Sequence, residues 1–171
     1  MCYTERVKTY TTLDGEVLDL GGLTSVEGAY FQACWEAYRD GERWVVFAER
    51  VTGEANPLVG PGRRVTRFVA DHPLYRALRD LEDRLGVQQG ELAAEPGDDV
   101  TTDPLEDEWL SVSDAASRQG VTFKAVYNAI ERGDLIGSHE RPARVSLNSL
   151  QRWSVSEGRQ RAGRSARAKS A

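Results

Sequence analysis

Apolar residues along this chain alternate with polar ones in two rhythms, one of two residues and one of three to four, and the rhythm changes mark the elements. Near the start, Val7-Lys8-Thr9-Tyr10-Thr11-Thr12 and Val17-Leu18-Asp19-Leu20 flank Asp14-Gly15, a dipeptide suited to a tight turn, so a short antiparallel hairpin is expected. Thr24 and Glu27 then have capping-box spacing. Behind them Val26, Tyr30, Phe31, Cys34, Trp35 and Tyr38 recur at helical spacing up to Gly41. Trp44, Phe47, Ala48 and Val51 predict a second short helix before Asn56-Pro57, and residues 64–70 a third. A stronger helix follows Asp71, with Pro73 in its first turn, Leu74, Leu78, Leu81 and Leu85 as its stripe, and Gly86 as its stop. The aromatic stripe 30–38 is expected in a core, and so are Trp35, Trp44 and Phe68 individually; Arg76, Arg79, Asp80, Glu82, Asp83 and Arg84 are expected on a solvated ion-pair face.

The pattern lapses between Glu91 and Glu108, which hold eight acidic residues and no Lys or Arg, with Pro96-Gly97 and Pro104 as breakers. That composition predicts a solvated linker, 91–108, between an N-terminal acidic domain, 1–90, and a smaller C-terminal one, 109–157. From Trp109 the spacing gives a helix, a turn and a second helix. Ser113 can cap the first, Ala115 and Ala116 allow close approach, Gly120 permits the turn, and Thr122 can cap the second. In that second helix Val121, Val126, Ala129 and Ile130 should face inward, and Phe123, Lys124, Tyr127, Asn128 and Glu131 outward.

Leu110-Ser111-Val112, the small-residue helix, Gly120-Val121-Thr122, Val126-Tyr127 and Gly133-Asp134-Leu135 together resemble the excisionase-type branch of the MerR-like winged helix-turn-helix proteins. The resemblance extends over about 50 residues, to a wing at 135–146 and a closing strand and helix at Arg144-Val145-Ser146, Leu150 and Trp153. It implies that the second helix enters the major groove of double-stranded DNA while the wing meets the neighbouring minor groove or backbone. Lys124 would reach guanine edges or phosphate, Asn128 would pair with adenine, Tyr127 would donate to phosphate, and Arg132 would hold the backbone. Thr122 and Phe123 open the same face, and His139, Arg141 and Arg144 lie on the wing. Where the family usually carries Arg or Gln early in this helix, the chain has Phe123 and Lys124, which shifts the expected contact toward apolar groups.

Charge divides the chain in the same place. Residues 109–171 carry 11 Lys and Arg against 5 Asp and Glu, and residues 1–108 carry 11 against 22, so the overall charge of -5 hides a basic third. Arg159, Arg161, Arg164, Arg167 and Lys169 make residues 158–171 an acid-free tail, expected to be disordered alone and to track phosphates. The fold class expected is thus α+β, mainly α: a helical domain with a hairpin, a linker, a winged helix-turn-helix and a tail.

The remaining chemistry is sparse. Cys2, Cys34, His72 and His139 have no metal-ligand spacing, and no phosphate loop, nucleophile elbow or carboxylate cluster occurs, so neither metal nor cofactor nor catalysis is expected. No apolar run could cross a bilayer and no signal pattern opens the chain, which predicts a cytoplasmic, nucleoid-associated protein without membrane contact. The expected function is DNA binding, as a transcriptional regulator or a recombination accessory factor, with a homodimer or side-by-side oligomer on DNA. The alternative is an adaptor whose N-terminal domain recruits a protein partner to DNA.

Overall fold

A computed structural model of the 171-residue chain describes residues 9–138 and 141–153. The described residues form a mixed α+β structure, mainly helical, with two small antiparallel sheets. The chain divides into two compact units between Glu106 and Asp107. No helix among the described residues is long and apolar enough to cross a membrane.

The first unit opens on β1 (Thr9–Thr11) and β2 (Val17–Asp19), paired antiparallel with Tyr10 opposite Leu18. The turn depends on Gly15, whose φ of 80° suits a residue without Cβ. Helix α1 (Ser25–Arg39) begins at a complete capping box: Thr24 Oγ1 accepts from the Glu27 N–H, and the Glu27 carboxylate accepts from the Thr24 N–H. Phe31 and Cys34 are buried and Tyr30, Trp35 and Tyr38 half-buried, as the stripe predicts, but Val26 is 67% exposed. Helix α2 (Trp44–Thr52) lacks a side-chain cap of its own. Gln89 substitutes from a distance, accepting from the Trp44 N–H at 2.9 Å while donating to the Glu42 carbonyl at 2.8 Å.

Helix α3 is only Arg67–Ala70, because Thr66 takes the N-cap position and leaves Arg64 and Val65 before it. Phe68, expected in the core, is 79% exposed: within so short a helix, Val69 is the buried residue. Helix α4 (Pro73–Gln88) carries the leucine stripe, and Leu74, Leu78, Leu81 and Leu85 pack with Tyr10, Phe31, Phe47 and Val51 into the core of this unit.

Two expectations about α4 are corrected. Gly86 does not stop the helix, which continues to Gln88; a Cβ there would stand 2.6 Å from Leu92 Cδ1 and 3.1 Å from Trp44 Nε1, so the glycine serves close packing. Asp80, Glu82 and Arg84 are not solvated but 9%, 6% and 2% exposed. Asp80 accepts from the Tyr10 hydroxyl at 2.6 Å, the Leu13 N–H at 2.7 Å and Arg84 Nε at 2.7 Å. Arg84 also donates to the carbonyls of Thr102 and Thr11. Burial and the neighbouring Asp80 push the Tyr10 phenol well above its ordinary pKa, while Arg84, disfavoured by burial, is held charged by Asp80.

Those bonds also reach the acidic stretch. The Pro104 carbonyl accepts from the Thr11 N–H, the Val100 carbonyl from Gln88, and Leu105 packs against the first core. Residues 91–106, read from composition as a linker, thus have backbone partners on the first unit, while Glu91, Glu95, Asp99, Asp103 and Glu106 stay exposed and Asp98 is half-buried.

The second unit contains β3 (Trp109–Ser111), α5 (Val112–Gln119), α6 (Phe123–Glu131) and β4 (Arg144–Ser146), then a helix at 147–153. Ser111, not Ser113, caps α5. The strand runs straight into the helix, and the Ser111 hydroxyl accepts from the Asp114 N–H at 3.0 Å while donating to the Asp114 carboxylate. Gly120 ends α5 with φ 62°, and Thr122 caps α6 as expected. Strand β4 pairs antiparallel with β3 and, at Val145, bridges to Gly137. Asp107 and Glu108, placed in the linker by composition, are structural here. Asp107 accepts from the Ser146 hydroxyl and the Asn148 N–H, and the Glu108 carbonyl from the Leu147 N–H. Leu110, Val112, Ala115, Ala116, Val126, Ala129, Ile130, Leu135, Val145, Leu150 and Trp153 form the core of this unit.

Candidate nucleic-acid interface

Helix α6 is short and two-faced because its apolar residues occupy one side of every turn. Val126, Ala129 and Ile130 are buried, whereas Phe123 is 55% and Tyr127 47% exposed, with Lys124, Asn128 and Glu131 exposed as well. Thr122 stands at the exposed head of the helix, its hydroxyl accepting from the Ala125 N–H at 3.2 Å. Spacing of four residues puts Lys124 and Asn128 on one line of the surface and Phe123 and Tyr127 on the next.

The two lines have different surroundings. Phe123 and Tyr127 line a groove of about 640 Å³ together with Val112, Ile130, Pro142 and Arg141, bordered by Ser111, Ser113 and Glu131. Lys124 and Asn128 do not line it. Arg141 and Arg144 are both exposed, Arg144 at the start of β4, where its N–H donates to the Ser138 hydroxyl and its carbonyl accepts from the Ser138 N–H. Residues 136–138 and β4 are therefore tied together on either side of the loop that joins them.

Among the described residues of this unit, Arg132 has a close partner, Asp134, with Nε to Oδ2 at 2.8 Å. Both side chains are exposed, so the pair contributes little to stability, but Arg132 would have to exchange one anion for another to meet a phosphate. His139, Arg159, Arg161 and Arg164, also singled out from sequence, lie outside the described residues, as does the rest of the tail. Among the described residues from 107 to 153, Lys and Arg number six against five Asp and Glu, so the basic excess of this third resides mostly in the tail.

Sequence reasoning missed the groove. Ser111, Val112 and Ser113 reach it only because β3 pairs with β4, and Pro142 only because β4 runs antiparallel beside Gly137 and Ser138. Phe123 carried the one visible signal, an aromatic at a position whose neighbours in the pattern are polar. Among the described residues no group of His, Cys, Asp or Glu is arranged to hold a metal ion. Comparison with protein-family models, curated proteins and solved structures gave no match.

Proposed function

We propose that this chain binds double-stranded DNA through a winged helix-turn-helix formed by residues 109–157, with α6 in the major groove, and that it works as a transcriptional regulator or a recombination accessory factor rather than as an enzyme. The observation that carries the reading is the exposed face of α6. Lys124, Tyr127 and Asn128 stand free of the core on a helix whose other face is buried, and Arg141 and Arg144 are exposed on the turn that follows. Lysine and asparagine at that spacing suit a guanine or phosphate and an adenine edge respectively. Residues 135–146 are the wing in this reading, and the basic tail supplies sequence-independent attraction to phosphates.

Fluorescence anisotropy of the full chain on mixed-sequence duplexes across a salt series tests this. Affinity should fall steeply with salt. Lys124→Ala should weaken binding and, if it meets phosphate, lower the logarithmic salt slope by about one, and ending the chain at Gly158 should lower it by about four or five. Absence of binding at low salt would sink the proposal.

A second reading, an adaptor, draws on the first unit. Phe68 is 79% exposed and Val65 42%, flanked by exposed Arg64 and Arg67, the combination of aromatic centre and arginine rim common at protein interfaces. Under this reading the first unit docks a protein partner while the second holds DNA. Phe68→Ser would abolish that docking and leave DNA affinity unchanged.

A further inference from the structure

We infer that two copies of this chain pair through their first units, with Phe68 and Arg67 of each copy entering an acidic groove on the other. The inference rests on the reading of the Phe68 face as a docking surface and names its occupant. It does not depend on DNA binding.

Every residue from 61 to 68 is exposed, so the start of α3 stands out from its unit as a knob. Phe68 is 79% exposed, with Val65 three residues before it. Arg63 is engaged by Glu49 at 2.7 Å, whereas Arg67 stands 3.8 Å from Asp71 with its side chain almost wholly in water. Arg64 is exposed as well. The knob therefore presents an aromatic ring between cations that its own unit holds loosely.

A groove of about 580 Å³ runs between the hairpin turn, α4 and residues 92–98 of the same unit. Tyr75, Val87, Leu92 and Ala93 give it apolar walls, and Asp14, Asp83, Glu95 and Asp98 give it carboxylates. Arg76 and Arg79 also line it, but each is already bonded to a carboxylate, Glu16 and Glu82 respectively. Asp80, the remaining acid of the lining, is held by Arg84. Burial raises the pKa of Asp83; Arg79 opposes the rise, and Asp80 and Asp98 add to it. The groove is thus short of cations, and an arginine arriving from outside would relieve it.

Knob and groove match in kind: a ring flanked by arginines, and apolar walls flanked by carboxylates. Phe68 does not fill the groove of its own chain, since it is exposed and does not line it. Yet the two features adjoin, because Ala70, the last residue of α3, lines the groove. A surface that carries a knob beside its own matching hollow is self-complementary about a two-fold axis. Each copy fills the hollow of the other, both contacts form together, and the assembly closes at two. A foreign protein would need a cationic knob and an acidic hollow in the matching order to satisfy both features, whereas a second copy has them already.

The test is sedimentation equilibrium of the full chain without DNA, from about 1 to 100 µM and at several salt concentrations. The unaltered chain should show monomer and dimer in equilibrium, with the dimer weakened by salt. Phe68→Ser should weaken it about a hundredfold, about tenfold for each of the two equivalent contacts. Arg67→Glu and Glu95→Arg should each do at least as much, because each sets like charges against one another in both contacts. Mixing these two charge variants should restore dimerisation at least tenfold over either alone, since the mixed pair has one unaltered contact and one with its charges exchanged. A misfolded variant could not give that recovery. A chain that stays monomeric throughout would overturn the inference and leave the Phe68 face to a foreign partner. A dimer that Phe68→Ser and Arg67→Glu leave unchanged would overturn it by putting self-association on another surface. Failure of the mixture to recover would overturn the pairing of knob with groove.

Discussion

The two units handle charge in opposite ways. In the first, Asp80 and Arg84 are taken out of water and bonded to Tyr10, Leu13, Thr11 and Thr102, and Arg50, Arg63, Arg76 and Arg79 each reach a carboxylate. In the second, Lys124, Arg141 and Arg144 are exposed, and the ion pair found among its described residues, Arg132 with Asp134, is itself at the surface. A buried pair holds its own unit in one arrangement, since either partner alone would be an uncompensated charge. An exposed cation contributes little to its fold and stays available for an outside anion. The contrast teaches where to look for function: in the unit whose charges its own fold does not consume.

The largest effect that could break this comparison is at Asp80. Asp80→Ala leaves Arg84 buried without its carboxylate and should cost about 3–5 kcal/mol. Amide hydrogen exchange followed by mass spectrometry should show protection lost across β1, β2 and α4 but retained from β3 to β4. Equal loss in both units would mean that the network does not belong to the first unit alone.

Glycines give the next test, one in each unit. Gly86→Ala forces a methyl against Leu92 at 2.6 Å and should destabilise the first unit by about 1–3 kcal/mol. Gly120→Ala meets open space but must adopt φ 62°, costing about 1–2 kcal/mol in the second unit. Urea unfolding of the two variants separates crowding from backbone strain: Gly86→Ser should be worse than Gly86→Ala, whereas Gly120→Asn should recover part of the loss, because asparagine tolerates the left-handed region. Failure of asparagine to help would mean that Gly120 is needed for something other than its backbone angle.

Local features were the most legible part of the sequence. The Asp14-Gly15 turn, the Thr24–Glu27 capping box, the leucine stripe of α4, Gly120 and the Thr122 cap each involve residues within a few positions of one another, and each stands in the structure as its spacing implies. What could not be read depends on distant partners. Asp80 and Arg84 have the four-residue spacing of a surface pair, and only β1 and residues 102–104 crossing over them make them interior. Gly86 resembles a helix stop until Leu92 is found upon it, and Ser111 rather than Ser113 caps α5 because β3 pairs with β4. The site followed the same rule. The outward row of α6 was visible from periodicity, whereas the groove beside it needed residues 111–113 and 141–143 brought together from about thirty positions apart.

The smallest expected effect concerns Glu82, and it asks whether burial of charge in the first unit has a measurable cost. Glu82 is 6% exposed and accepts from Arg79 Nη1 at 2.6 Å. Burial raises its pKa above the ordinary 4.5, and the nearby Arg79 offsets only part of the rise. The folded state therefore holds this proton more tightly than the unfolded chain. Its contribution to stability is complete below the ordinary value and is lost as pH rises through the higher folded one. Glu82→Gln removes the titration. Urea midpoints of the first unit measured between about pH 4 and pH 7 should show the stability difference, variant minus unaltered chain, growing with pH and then levelling off. Asp83, also raised by burial, adds to the rise at Glu82 and shares Arg79 with it, so the same comparison is made in an Asp83→Asn background, where the difference should keep its sign. Parallel curves would mean that Arg79 neutralises the burial of Glu82 completely, so that Asp80 and Arg84 alone would carry the contrast between a unit that buries charge and one that leaves it exposed.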